Sequence, residues 1–147
     1  MFGFLVLTND TFRPLASFDH AVARLVPEQR RMLRFLLTGA SLQMVAMASG
    51  IERRRLVQLL SDHSLYRPAF EALLVDVEPE MRARLHVLTE QELLYLREAG
   101  LDADARAMLA IIRAVGRLDT EMGILAHSAL HPRGVSAGRS RPPNLDV

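Results

Sequence analysis

The sequence predicts an all-α fold: a helix-turn-helix head over residues 1–76, a helical hairpin or oligomerisation region over 77–130, and a disordered tail over 131–147. Three observations carry this. Apolar residues recur at spacings of three and four through most of the chain, the repeat of an amphipathic helix rather than of a strand. Pro27, Gly39, Gly50, Pro79, Gly100 and Gly123 fall between those stretches, where helices start or stop. The last seventeen residues, HPRGVSAGRSRPPNLDV, hold too few apolar side chains to build a core.

Residues 1–7, MFGFLVL, read as a strand or as an apolar arm that packs on a neighbour. With no basic residues ahead of them they make a poor signal peptide. Ser17 is placed to cap a helix running to about Leu25. Pro27 suits the first turn of the next helix, PEQRRMLRFLL, whose apolar positions leave Arg30, Arg31 and Arg34 largely outward. Ser41 caps SLQMVAMAS, which ends at Gly50, and ERRRLVQLL follows, ending near Ser61 and Asp62. A helix over about 64–75 carries Pro68 in its first turn, where the missing N–H does little harm. Glu78 and Pro79 start a helix to Leu88. Thr89-Glu90-Gln91-Glu92 then reads as a capping box that begins a separate helix ending at Ala99. Gly100 is a natural left-handed stop, and Asp102 caps a long helix over about 103–125.

At 50% hydrophobic and 24% charged residues, the 147-residue chain suits one domain of ordinary size. No apolar run approaches the roughly 20 residues of a membrane span. There is no cysteine, so disulfides and thiol chemistry are excluded, and a cytoplasmic location is expected. All 18 basic residues are arginine, the side chain that binds phosphate and guanine in a bidentate way. They are unevenly placed. Residues 20–60 carry seven arginines against two acids, whereas 76–127 carry six against ten, a layout that suggests two jobs.

The most informative stretch is residues 40–60. A helix-turn-helix needs a small residue midway along its first helix, a glycine or similar residue in the turn, and apolar side chains where the helices meet. Ala46, Gly50, and the set Val45, Ile51, Leu56 and Leu59 meet these needs. At about 100° per residue Arg53, Arg54 and Val57 then face away, with Gln58 at the edge and Arg55 toward the buried side. Arg and Gln read guanine and adenine edges, and Val57 suits a thymine methyl. Ser41 and Gln43, at the start of the first helix, are placed to grip phosphate. Arg30, Arg31 and Arg34 are the alternative DNA-holding set. Glu52 is a poor residue for the N-cap of a recognition helix beside phosphate.

Residues 37–74, LTGASLQMVAMASGIERRRLVQLLSDHSLYRPAFEALL, resemble the N-terminal domain of phage small terminase subunits and related phage helix-turn-helix proteins. The shared pattern is a Gly-small start, the helix-turn-helix, then an acid-containing turn (Ser61-Asp62-His63) before an aromatic-bearing helix with Tyr66 and Phe70. More loosely, residues 105–125 are similar to a later helix of those proteins, which ends in a glycine and apolar stop, here Gly123-Ile124-Leu125. The resemblance implies a non-enzymatic ring that recognises double-stranded DNA and delivers it to the large terminase subunit. It carries DNA-contact roles to Arg53, Arg54 and Gln58. A phage-derived particle such as a gene transfer agent also fits it. The alternatives are a helix-turn-helix transcription regulator and a helical protein-interaction module with no DNA role.

The long helix over 103–125 is the expected assembly element. Met108, Ile111, Ile112, Val115, Leu118 and Met122 recur at three and four and form a stripe over more than four turns. Arg106, Arg113, Arg117 and Glu121 line its polar side, with Arg117 and Glu121 spaced to pair along the surface. A homo-oligomer is therefore expected. Met44, Met47, Met108 and Met122 read as core residues. The five histidines offer no third ligand near His127 and His131, so no metal is expected. Asp62-His63-Ser64 reads as a turn and cap rather than a triad. With no P-loop motif and no lysine, an ATPase of that class is not expected; no cofactor and no enzymatic role are expected.

Overall fold

Seven helices make up the residues described in the computed structural model, 15–97 and 100–131. They are α1 (Ala16–Val22), α2 (Pro27–Leu37), α3 (Leu42–Ser49), α4 (Arg53–Ser61), α5 (Arg67–Asp76), α6 (Pro79–Leu96) and α7 (Ala103–Met122). The described residues contain no strand, as the apolar periodicity predicts. The N-terminal arm 1–7, the tail from 132 and the expected helix end at Ala99 lie outside the described residues.

Most helix ends obey their local chemistry. Pro27 and Pro79 stand at the first helical position, and Pro68 follows one residue into α5. Ser41 Oγ accepts from the Met44 amide at 3.1 Å, and Asp102 Oδ1 accepts from the Ala105 amide at 2.8 Å. Gly50 and Gly123 end α3 and α7 in the left-handed region at φ 76° and 66°.

Two predicted caps are not used as caps, and three bounds shift by three residues: α1 stops at Val22, α5 starts at Arg67 and α7 stops at Met122. Ser17 does not cap α1, which begins one residue earlier. The orphan amide of Phe18 instead donates to Asp76 Oδ2 at 2.8 Å, so the last carboxylate of α5 caps α1 from 58 residues away. Thr89 does not begin a new helix, and α6 runs unbroken across it. Its hydroxyl donates to the Leu85 carbonyl at 2.8 Å, which is the bond a threonine makes inside a helix. No glycine or proline lies between Pro79 and Leu96 to enforce a break.

Helix α7 is the axis of the molecule. It packs on α6 along its length and also on α4 and α2, while α1 packs on α5. The crossing with α2 is a close one. A Cβ on Gly116 would stand 2.0 Å from the Leu37 carbonyl oxygen, so only glycine lets the two backbones meet there. The boundary expected at residue 76 therefore does not divide two cores. One apolar cluster joins Leu33, Leu36, Val45, Leu56, Leu60 and Tyr66 of the first half to Leu88, Leu109, Ile112 and Val115 of the second.

The stripe assigned to assembly belongs to that cluster. Met108, Ile112, Val115 and Leu118 are fully buried within the chain and Ile111 is partly buried against the same core, which leaves Met122 half exposed. Helices α2 and α4 of the first half and α6 of the second all lie on α7 and cover the stripe between them. The polar side of α7 is engaged as well. Arg117 Nη1 pairs with Glu92 Oε2 at 3.0 Å, and Glu121 takes a two-pronged bond from Arg84, rather than Arg117 and Glu121 pairing with each other. Both contacts cross to α6, which sits against that face.

Candidate nucleic-acid interface

Helices α3 and α4 meet through a three-residue turn, Gly50-Ile51-Glu52, built as the motif requires. Gly50 supplies the positive φ. The Ser49 hydroxyl donates to the Val45 carbonyl at 2.7 Å and accepts from the Ile51 amide at 3.2 Å, tying the turn to the helix before it. Val45 is buried, and Ala46 and Ile51 pack partly against the core, so the apolar joint is where the spacing placed it. Glu52 occupies the N-cap of α4 and makes no side-chain cap bond.

Leu56, Leu59 and Leu60 bury one side of α4. At about 100° per residue, Arg54 and Gln58 then point most directly away from the core, one turn apart. Both are exposed, as are Arg53 and Arg55 on either flank. No hydrogen bond or ion pair among the described residues engages Arg54. Arg55 is not on the buried side as expected. It lies near Asp62, whose carboxyl is held below its ordinary value mainly by the Ser64 hydroxyl and amide, with Arg55 adding a little. Val57 is not outward either: it packs partly on the core, because Leu60 beside it turns that edge of the helix inward.

Ser41 and Gln43 are exposed at the start of α3. The Ser41 oxygen is already occupied by its cap bond, so its role is first to hold α3. The alternative arginines on α2 are not equivalent. Arg30 is turned back onto the α1–α2 connection, where its guanidinium donates to the Leu25 and Ala23 carbonyls, so it is a structural residue. Arg34 is half-buried and Arg31 is exposed.

Met44 and Met47 correct the core reading of the methionines. They are 61% and 74% exposed and, with Gln43 and Ala48, form the outer face of α3. A helical wheel of this eight-residue helix carries the signal: Leu42, Val45 and Ser49 share one side, and the methionines fall opposite.

The other constellations have structural roles. Ser64 donates from both amide and hydroxyl to Asp62 Oδ1, which closes the turn after α4, while His63 Nε2 reaches Asp104 at 3.2 Å. Burial raises the Tyr66 hydroxyl above its ordinary pKa, and it donates to the Gln29 carbonyl at 3.1 Å. Among the described residues no three His, Asp or Glu side chains are grouped as a metal ion requires, and no helix is long and apolar enough to cross a membrane.

Compared with protein-family models, with characterised proteins and with solved structures, the chain has no match.

Proposed function

We propose that this chain is a double-stranded DNA-binding protein that presents α4 to the major groove through the α3–turn–α4 unit. The observation that carries the reading is the outward pair Arg54 and Gln58, flanked by Arg53 and Arg55, on a helix whose other side is pinned by Leu56, Leu59 and Leu60. With its side chains an α-helix is about 10–12 Å across, a diameter that suits a major groove about 12 Å wide. The more specific form of the proposal is the packaging adaptor implied by residues 37–74, which recognises DNA and hands it to a large terminase subunit. In that form the assembly surface is not the α7 stripe. The exposed row Val87, Leu94 and Tyr95 on α6 takes its place.

A second reading, a protein-interaction module without a DNA role, is favoured by exposed Met44 and Met47 and by Glu52 at the helix start. Fluorescence anisotropy with a labelled duplex across a salt series separates the two. The DNA-binding reading expects affinity to fall linearly in log–log form as salt rises. No retention at 50 mM salt sinks it. Light scattering then distinguishes a ring-forming adaptor from a dimeric regulator.

A further inference from the structure

Helices α5 and α6 leave the short Val77-Glu78 turn and diverge, so neither packs extensively on the other. The space between them is a groove of about 530 Å³. That falls within the roughly 300–1,000 Å³ of small-molecule sites. Phe70 and Leu85 form its walls, and Met108 and Ile111 of α7 form its floor. It is apolar along its length but not at its ends. At the turn, Arg82 Nη1 donates to the Leu74 carbonyl at 2.8 Å and shuts the groove. The helices run away from the turn, so Arg67 on α5 and His86 on α6 flank the open end.

Arg67 is the informative residue. Its Nε is buried, and no acceptor among the described residues engages it. That nitrogen is itself closed to a ligand oxygen, but the Arg67 side chain lines the groove, and no bond among the described residues engages the rest of its guanidinium, whose terminal N–H groups are the donors a ligand would meet. A carboxylate is the acceptor to which an arginine's N–H groups donate best. Arg67 and Arg82 against the single acid Glu71 give the lining a positive balance. The closed end sets the length. From Arg67 to Leu74 α5 rises only about 10 Å, two helical turns. That is short for a docked partner helix with anchors spaced over several turns, and it suits a chain of eight to ten carbons.

We infer that the α5–α6 groove binds a small amphipathic anion, in chemical class a medium-chain carboxylate, with its alkyl body over Phe70, Met108 and Ile111 and its head on Arg67. The test is calorimetric titration of the full chain with decanoate below its micellar range, with decanol as the uncharged match. One saturable site per chain is expected, at least tenfold weaker for decanol and for Arg67→Gln. Ala83→Trp, at an exposed position on the groove wall, fills the space and abolishes binding. In the wild type, the methyl resonances of Leu85, Met108 and Ile111 shift during the titration, a readout independent of any variant's folding. Lack of saturable binding, a site that Ala83→Trp leaves intact, or methyl shifts confined to other residues would each overturn the inference. So would capture of an acidic amphipathic peptide, but not decanoate, in the groove.

Discussion

Helices α4 and α7 look alike in sequence and are used in opposite ways. Each has an apolar side and an arginine-bearing side. On α7 the arginines are engaged by the fold: Arg117 by Glu92, Arg113 by the Ala40 carbonyl at 3.5 Å, and Arg106 by the Arg97 carbonyl at 3.5 Å. On α4 the outward arginines are exposed, and Arg54 has no partner among the described residues. An arginine on a helix is thus weak evidence for a nucleic acid until the fold shows what else it holds. The apolar stripes teach the converse. The stripe of α7 is longer than that of α4 and looks more like an interface, yet it is the more deeply buried in its own chain.

The comparison breaks most decisively at Ile112. If α7 is core, Ile112→Asp places an unpaired carboxylate at a fully buried position and unfolds the protein, at a cost on the order of 4 kcal/mol or more. Circular dichroism and light scattering check it. A folded, monomeric variant of an oligomeric wild type would restore the interface reading. Next comes Gly116→Ala. The added methyl meets the Leu37 carbonyl, and separating α2 from α7 costs about 1–3 kcal/mol or more. An unchanged urea midpoint would mean that the two halves do not share this crossing. By the same logic residues 1–76 alone, cut off from α7, lose their cooperative transition, because Leu33, Leu56 and Leu60 lose their shared core.

Smaller in energy but sharper for function is Arg54→Ala. It should weaken duplex binding by about 1–3 kcal/mol, the worth of one base contact, with no change in the urea midpoint. Arg30→Ala and Arg117→Ala should do the reverse, lowering stability while leaving DNA affinity nearly unchanged, since both guanidinia are held by the chain. Equal effects of all three on binding would reduce the interface to diffuse charge.

The helices were legible in the sequence because their signals are local. Pro27, Ser41, Gly50, Asp102 and Gly123 act on backbone groups within four residues, and each does what its chemistry requires. What misled lay in partners far along the chain. Ser17 looks like a cap only until Asp76 is seen to reach the Phe18 amide. Thr89 looks like a cap because Glu92 follows at the right spacing, but Glu92 is buried against Arg117 and α6 continues. The site divides similarly. Arg54 and Gln58 follow from helical period alone, whereas the inward turn of Val57 and the recruitment of Arg30 depend on neighbours that no periodicity names. The α5–α6 groove was not legible at all, because it is the space left where two helices diverge.

The finest test of the contrast lies at the joint between the two helices. Asp102 caps α7 and also accepts from Ser61 Oγ, the last residue of α4, at 3.0 Å. Its carboxyl is lowered below its ordinary value, first by the Ala105 amide and then by the Ser61 hydroxyl, both of which favour the charged form. A carboxyl depressed in the folded state stabilises at pH values above the unfolded value, near 3.9, and loses that contribution as pH falls through the lower folded value. Asp102→Ala should therefore lower the urea midpoint at pH 7 and at pH 5, by less than Gly116→Ala does. The gap from wild type should close as pH falls from about 4 toward 2.5. Ser61→Ala should show the same closing gap at reduced size, since the Ala105 bond remains. Asp62 and Glu121 are also lowered and contribute to the acid limb of every variant, so it is the difference between midpoints that isolates Asp102. A difference that stays constant from pH 7 to pH 2.5 would mean that the Asp102 charge does not hold the joint, and α4 would then be kept in place by Leu56, Leu59 and Leu60 alone.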